Sequence, residues 1–189
     1  IRREVSDGRS ERGGCGKVEL AVRCAGFARP AVDTIVAWGR NGARPHHRPY
    51  DRRIAAGDLV VVDFGGVLDG YAVDMTRTVA VGAVSTELRS WVAAVAEAQQ
   101  AAIDTAAPGI LPSAIDGAAR ATPARHGLAE AFVHRTGHGL GLEVHQRPTI
   151  GPRRDHDSPH TPGMVFPTQP AVHPARRPGG GLRSHRRAP

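Results

Sequence analysis

Aromatic residues make up only 4% of this 189-residue chain, so a core has to be built from Val, Leu, Ile and Ala. No run approaches the roughly 18 consecutive apolar residues of a membrane span, and the opening stretch IRREVSDGRSERGG lacks the apolar centre of a secretory leader. Cysteine is confined to Cys15 and Cys24. Without a leader these read as free thiols in a reducing cytoplasm, not as a disulfide. Lysine is nearly missing, Lys17 being the single one among 25 basic residues. A chain of this length supports one domain with a real core, not two.

Charge is unevenly spread. Residues 1–50 hold 10 Lys/Arg against 5 Asp/Glu, residues 51–150 hold 8 against 11, and residues 151–189 hold 7 against 2. The basic flanks carry Pro and Gly but almost no aromatics for base stacking, so the net charge of +7 alone is weak evidence for a nucleic-acid partner, which is not expected.

Three zones follow. Residues 1–30 show no clean periodicity and are expected to be an irregular, degenerate segment with at most one short helix or strand. Residues 31–175 read as one ordered α/β region. Residues 176–189 are expected to be a disordered basic tail, since 151–189 holds 8 Pro and 5 Gly. Within the ordered zone, DTIVAWG is a short strand, and DLVVVDF and YAVDMTRTVAV are β-branched runs around the hairpin signal Asp69-Gly70. Ser85 is a candidate N-cap for a helix with Leu88, Val92, Val95 and Ile103 on its apolar face. A second, weaker helix covers LPSAIDGAARATPARHG, and GMVF looks like a strand.

The hairpin poses a chemical problem. With a two-residue turn at Asp69-Gly70, Gly65 faces Asp74, and Asp63 lies diagonally from Asp74 on the same face. With the turn slipped to Leu68-Asp69, the two aspartates stand directly opposite. Either register brings two like charges together in an apolar sheet, which costs free energy unless a shared proton or a cation compensates. The plain alternative is that the carboxylates reach water at the strand ends. The segment FVHRTGHGLGLEVHQRP adds His134, His138 and His145 among glycines that disfavour a helix. It reads as extended chain presenting imidazoles to a ligand or a divalent site. His46 and His47, in the Pro-rich loop GRNGARPHHRP, are expected to be able to supply another imidazole.

DFGGVLDGYAVDMTRT resembles the hairpin of the pita-bread metallopeptidases, with its two aspartates eleven residues apart, as Asp63 and Asp74 are. HRTGHGLGLEVH is similar to the H-x-T-G-H-G-x-G-x-x-x-H segment of their Xaa-Pro dipeptidase and aminopeptidase P branch, related to methionine aminopeptidase. TIVAWGRNGARPHHRP resembles the same branch's entrance loop. The resemblance implies an α+β pita-bread (creatinase/aminopeptidase-like) fold, a curved and mostly antiparallel sheet backed by helices near 86–107 and 112–126. It implies a metal-dependent exopeptidase that releases an N-terminal residue or cleaves Xaa-Pro dipeptides through a metal-bound hydroxide. It also implies two divalent ions (Mn, Co or Zn), short peptides with Pro second as substrates, a cytoplasmic location and, as is usual in the branch, a homodimer. Asp63 would hold one metal, Asp74 would bridge two and His138 would hold the other. His46, His134 and His145 would line the pocket as catalytic groups.

Two further ligands of that family are glutamates. The first falls in GMVFPTQPAVH at Gln169, and the second, about fourteen residues on, at Arg183. A neutral amide and a guanidinium leave two carboxylates and one imidazole, which implies one ion or none and weakened hydrolysis. The alternative is an inactive pita-bread module that binds peptides or a protein partner.

Overall fold

The computed structural model describes residues 8–42, 44, 47–152, 158–173, 182–183 and 186–187, with Arg40 and the last four described by backbone alone. In chain order the elements are α1 (Glu11–Cys24), β1 (Arg29–Pro30), β2 (Ile35–Trp38), β3 (Leu59–Leu68), β4 (Tyr71–Ala80), α2 (Thr86–Thr105), α3 (Pro112–Arg125), β5 (Gly137–Gly139), β6 (Gln146–Ile150), β7 (Pro167–Thr168), β8 (Ala171–Val172), β9 (Leu182–Arg183) and β10 (Arg186–Arg187). No helix among the described residues is long and apolar enough to cross a membrane.

The β3–β4 hairpin is the longest paired unit, with Leu68 opposite Tyr71 and Leu59 opposite Ala80. Asp69 and Gly70 both take positive φ, 49° and 85°, which defines a type I′ turn whose twist matches the strands. β1 and β2 pair antiparallel along the other edge of β3, at Val67 and Gly66 and at Asp63 to Val60 respectively. A second sheet runs β10-β7-β5-β6, and β8 pairs with β9.

Period-two alternation divides β3 between two cores. Val60 and Val62 pack with Cys15, Val18, Val36 and Trp38 beneath α1. Leu59 joins Trp91 and Val95 of α2, Ile115 and Ala119 of α3, and Phe132, Ile150, Phe166 and Val172. The Ser85 hydroxyl accepts from Leu88 N at 3.2 Å, as an N-cap should. The buried face of α2 is Leu88, Trp91, Val95, Ala98 and Ala102. Val92, expected on that face, is exposed, because the i, i+3, i+7 row runs through Trp91 instead.

Four expectations need correction. Residues 11–24 are helical, not irregular: Ser10 Oγ accepts from Gly13 N, and Gly14 leaves room for Val36, whose Cγ1 would stand 3.0 Å from an added Cβ. Strand pairing begins at Pro167, not in GMVF. Part of the 176–189 tail forms strands, Ala171 pairing with Arg183 and Thr168 with Arg186 through backbone groups indifferent to side-chain composition. His47 is no free imidazole of the loop; its Nε2 lies 2.6 Å from Glu11 Oε2. That carboxylate is fully buried and also accepts from Asn41 Nδ2 and Tyr50 N, pinning the loop to α1 at three points.

The cysteines differ sharply. Cys24 is exposed, whereas Cys15 is buried and its Sγ donates to Thr34 O at 3.3 Å. Burial pushes the Cys15 thiol from the ordinary 9.0 up to about 12. A disulfide reagent at neutral pH is therefore expected to label Cys24 alone in the native chain, and both thiols only after unfolding; two rapid native equivalents would contradict the packing. Because the fold favours the neutral thiol, Cys15 costs stability as pH rises from 9.0 towards about 12. Chemical denaturation of Cys15→Ala should show a shallower alkaline loss than the parent.

Candidate metal centre

The turn register decides where the carboxylates go. Asp63 pairs with Thr76 and Gly65 with Asp74, so Asp63 and Asp74 are diagonal neighbours on one face of the hairpin. Both are buried, at 9% and 7% exposure. Burying two like charges is costly unless each is hydrogen-bonded or neutralised. Thr76 Oγ1 donates to Asp63 Oδ1 at 2.6 Å, and Gln169 Nε2 donates to Asp74 Oδ2 at 2.7 Å.

His138 arrives from the second sheet. A Cβ at Gly137 would strike the Pro167 carbonyl oxygen, so the close approach of β5 to β7 requires glycine there. A register shift after His138 then re-aims its side chain. His138 Nδ1 lies 3.0 Å from its acceptor, the Gly139 carbonyl, which puts the proton on Nδ1 and leaves a lone pair on Nε2. That Nε2 stands 3.3 Å from Asp74 Oδ2 without an aligned hydrogen bond. Two lone pairs facing each other at this distance repel, and a cation between them turns the repulsion into ligation. The His145 ring is 4.5 Å from the His138 ring. Burial, then the neighbouring His138, hold the His145 imidazole below its ordinary 6.5, while Asp74 pulls the other way.

The structure thus gathers Asp63, Asp74, His138, His145 and Gln169. His134 instead packs edge-on against His173, with ring centroids 5.2 Å apart. His46 lies outside the described residues, as does the Arg183 side chain, although the β9 backbone runs against β3 and β4. No group of three or more His, Cys, Asp or Glu among the described residues is arranged, as it stands, to hold a metal. What does converge is two carboxylates and one imidazole, Asp63, Asp74 and His138, beside a neutral amide at Gln169 that adds no charge. Sequence reasoning missed Thr76, whose position opposite Asp63 follows from the register, and the burial of His160, which stacks 4.6 Å from Phe166. Tyr71 is 61% exposed beside the turn.

Asp74 also forms part of the wall of a cleft of about 1090 Å³, lined by Tyr71, Leu140, Leu142 and Met164 with Arg77 and Arg147. An apolar trough with a charged group at its wall is the general form of a small-ligand site.

Residues 1–185 match Metallopeptidase family M24, and the chain belongs to that family. It is 37% identical to the Xaa-Pro dipeptidase of Pyrococcus furiosus over 170 residues, covering 90% of this chain and 48% of that protein. It is 40% identical to the probable dipeptidase PepE of Mycobacterium bovis over 167 residues, covering 88% and 44%. The prolidase structure from Pyrococcus furiosus superposes with a TM-score of 0.91 at 36% identity, over 98% of this chain and 54% of that one. Dipeptidase PepE from Mycobacterium ulcerans gives 0.92 at 38%, over 99% and 49%. The chain spans about half the length of the relatives it matches. Its α+β architecture is the pita-bread fold, on the branch where the Xaa-Pro dipeptidases lie.

The electrostatics of His145 can be checked directly. In metal-free protein its proton NMR titration should have a midpoint below 6.5. Asp74→Asn removes a carboxylate that favours the imidazolium and should lower the midpoint further. A rise in the variant would contradict the assigned neighbours.

Proposed function

We propose that this chain is a metal-dependent exopeptidase module of the Xaa-Pro dipeptidase type that holds one divalent cation where its family uses two, with hydrolysis weakened accordingly. The observation that supports it is the convergence of Asp63, Asp74 and His138, with Asp74 at the wall of the 1090 Å³ cleft.

Asp63, with one oxygen already held by Thr76, and Asp74 would supply negative charge, and His138 the neutral nitrogen. A divalent ion held there would supply Lewis acidity and lower the pKa of bound water. Oxygen-dominated ligation with one imidazole favours Mn²⁺ over the thiolate and imidazole sites typical of structural Zn²⁺. His145, neutral at pH 7 because of its lowered pKa, can donate or accept a proton at the scissile group. His46 and His134 complete the catalytic set by family resemblance. The apolar wall suits a short peptide, and the relatives' name, Xaa-Pro dipeptidase, suggests Pro at the second position. Free thiols suit a cytoplasmic setting.

Gln169 favours a second reading. Its amide points an N–H at Asp74, satisfying a carboxylate that a cation would otherwise claim. A module in which this hydrogen bond prevails would bind peptides without cleaving them.

Calorimetry of Mn²⁺ into metal-stripped chain separates the two. One ion is expected, abolished in Asp74→Ala, and Gln169→Glu should tighten binding roughly tenfold by adding a charged ligand. Xaa-Pro hydrolysis by the parent should be slow and should rise in Gln169→Glu. No heat in either protein, with peptide still bound, would leave the binding module as the function.

A further inference from the structure

We propose that Asp116 and Arg120 of α3 are positioning residues that hold the segment carrying His134 and His138; their catalytic relevance rests on the peptidase reading above.

Residues 132–136 lie between a short helical turn at Ala129–Ala131 and β5, so helix and sheet ladders serve little of their backbone, Phe132 N donating to Ala129 O and Thr136 O accepting from Gln169 N. Unpaired backbone groups at a buried place are costly, and here side chains replace the ladder. Arg120 Nη1 donates to Phe132 O at 2.8 Å and Nη2 to His134 O at 2.6 Å. Its guanidinium also lies 4.6 Å over the Phe132 ring. The remaining Nε donates to Asp116 Oδ2 at 2.6 Å. Asp116, only 1% exposed, uses Oδ1 for Thr136 Oγ1 at 2.6 Å and Thr136 N at 3.2 Å.

The i, i+4 spacing puts both side chains on one face of α3. Together they grip the chain at residues 132, 134 and 136, two residues before His138. Arginine's rigid planar fork holds two carbonyls and the Asp116 carboxylate in one fixed geometry, which a lysine's single rotating ammonium does not reproduce. An ion pair of this kind is a poor source of stability by itself, yet the Nη1 and Nη2 groups of Arg120 and the Oδ1 of Asp116 are committed to the loop. The loop in turn decides whether His138 Nε2 stands 3.3 Å from Asp74. The same grip fixes the His134 backbone while its ring rests on His173.

The test uses Arg120→Lys, which keeps the charge and loses the fork, with Asp116→Asn as the second variant. Amide hydrogen exchange of metal-free protein should accelerate about tenfold or more across residues 133–138, with α2 and the β3–β4 hairpin unchanged. Mn²⁺ binding, measured by calorimetry, should weaken by about 10-fold to 100-fold, the range found when outer partners of a metal site are removed. Unchanged exchange at 133–138, or acceleration spread evenly over the chain, would overturn the proposal. If the parent binds no Mn²⁺, the metal reading fails, while the exchange comparison still decides whether the grip is real.

Discussion

The site depends on the register of one hairpin. Because the type I′ turn uses Asp69 and Gly70, Leu68 must face Tyr71, and every pair down to Leu59 and Ala80 follows. A slip of one residue would send each side chain of one strand to the opposite face. Asp74 would then point towards α1 and Val73 towards the histidines. The double packing of β3 resists such a slip, since Val60 and Val62 belong to one core and Leu59 to the other.

Within that frame, the local charge balance is the governing quantity. Among the described contacts, the two buried carboxylates meet one threonine hydroxyl, one glutamine amide and an imidazole lone pair. Hydrogen bonds from neutral donors offset part of the burial cost, each contributing about 1 kcal/mol net. They do not remove the mutual repulsion, which only a proton or a cation relieves. The Glu11 site shows the contrasting solution: a single carboxylate met by three partners, Asn41, His47 and Tyr50 N, hence a closed network with structural consequences.

Legibility followed range. Asp63 and Asp74 could be placed on one face from the Asp69-Gly70 signal because hairpin geometry is local. The Ser85 cap and the helix behind it were equally readable. His134 and His173 could not be paired in advance, since their rings meet through a contact 39 residues apart in sequence. The helix at residues 11–24 was hidden by Gly13, Gly14 and Gly16, whose low propensity is overruled by packing on Val36. Asp116 and Arg120 had a spacing signal on α3, but nothing local shows that their partners are the carbonyls and hydroxyl of a loop.

The late strands have a different lesson. β8, β9 and β10 join their neighbours through main-chain amides and carbonyls, which are the same whatever side chain hangs from them. Architecture there is insulated from substitution, while ligation is wholly exposed to it. Shape and chemistry can therefore change at different rates in one lineage: the superposition at 0.91 records how fully the shape is kept, while a side chain that touches Asp74, as Gln169 does, can alter the chemistry without disturbing a strand.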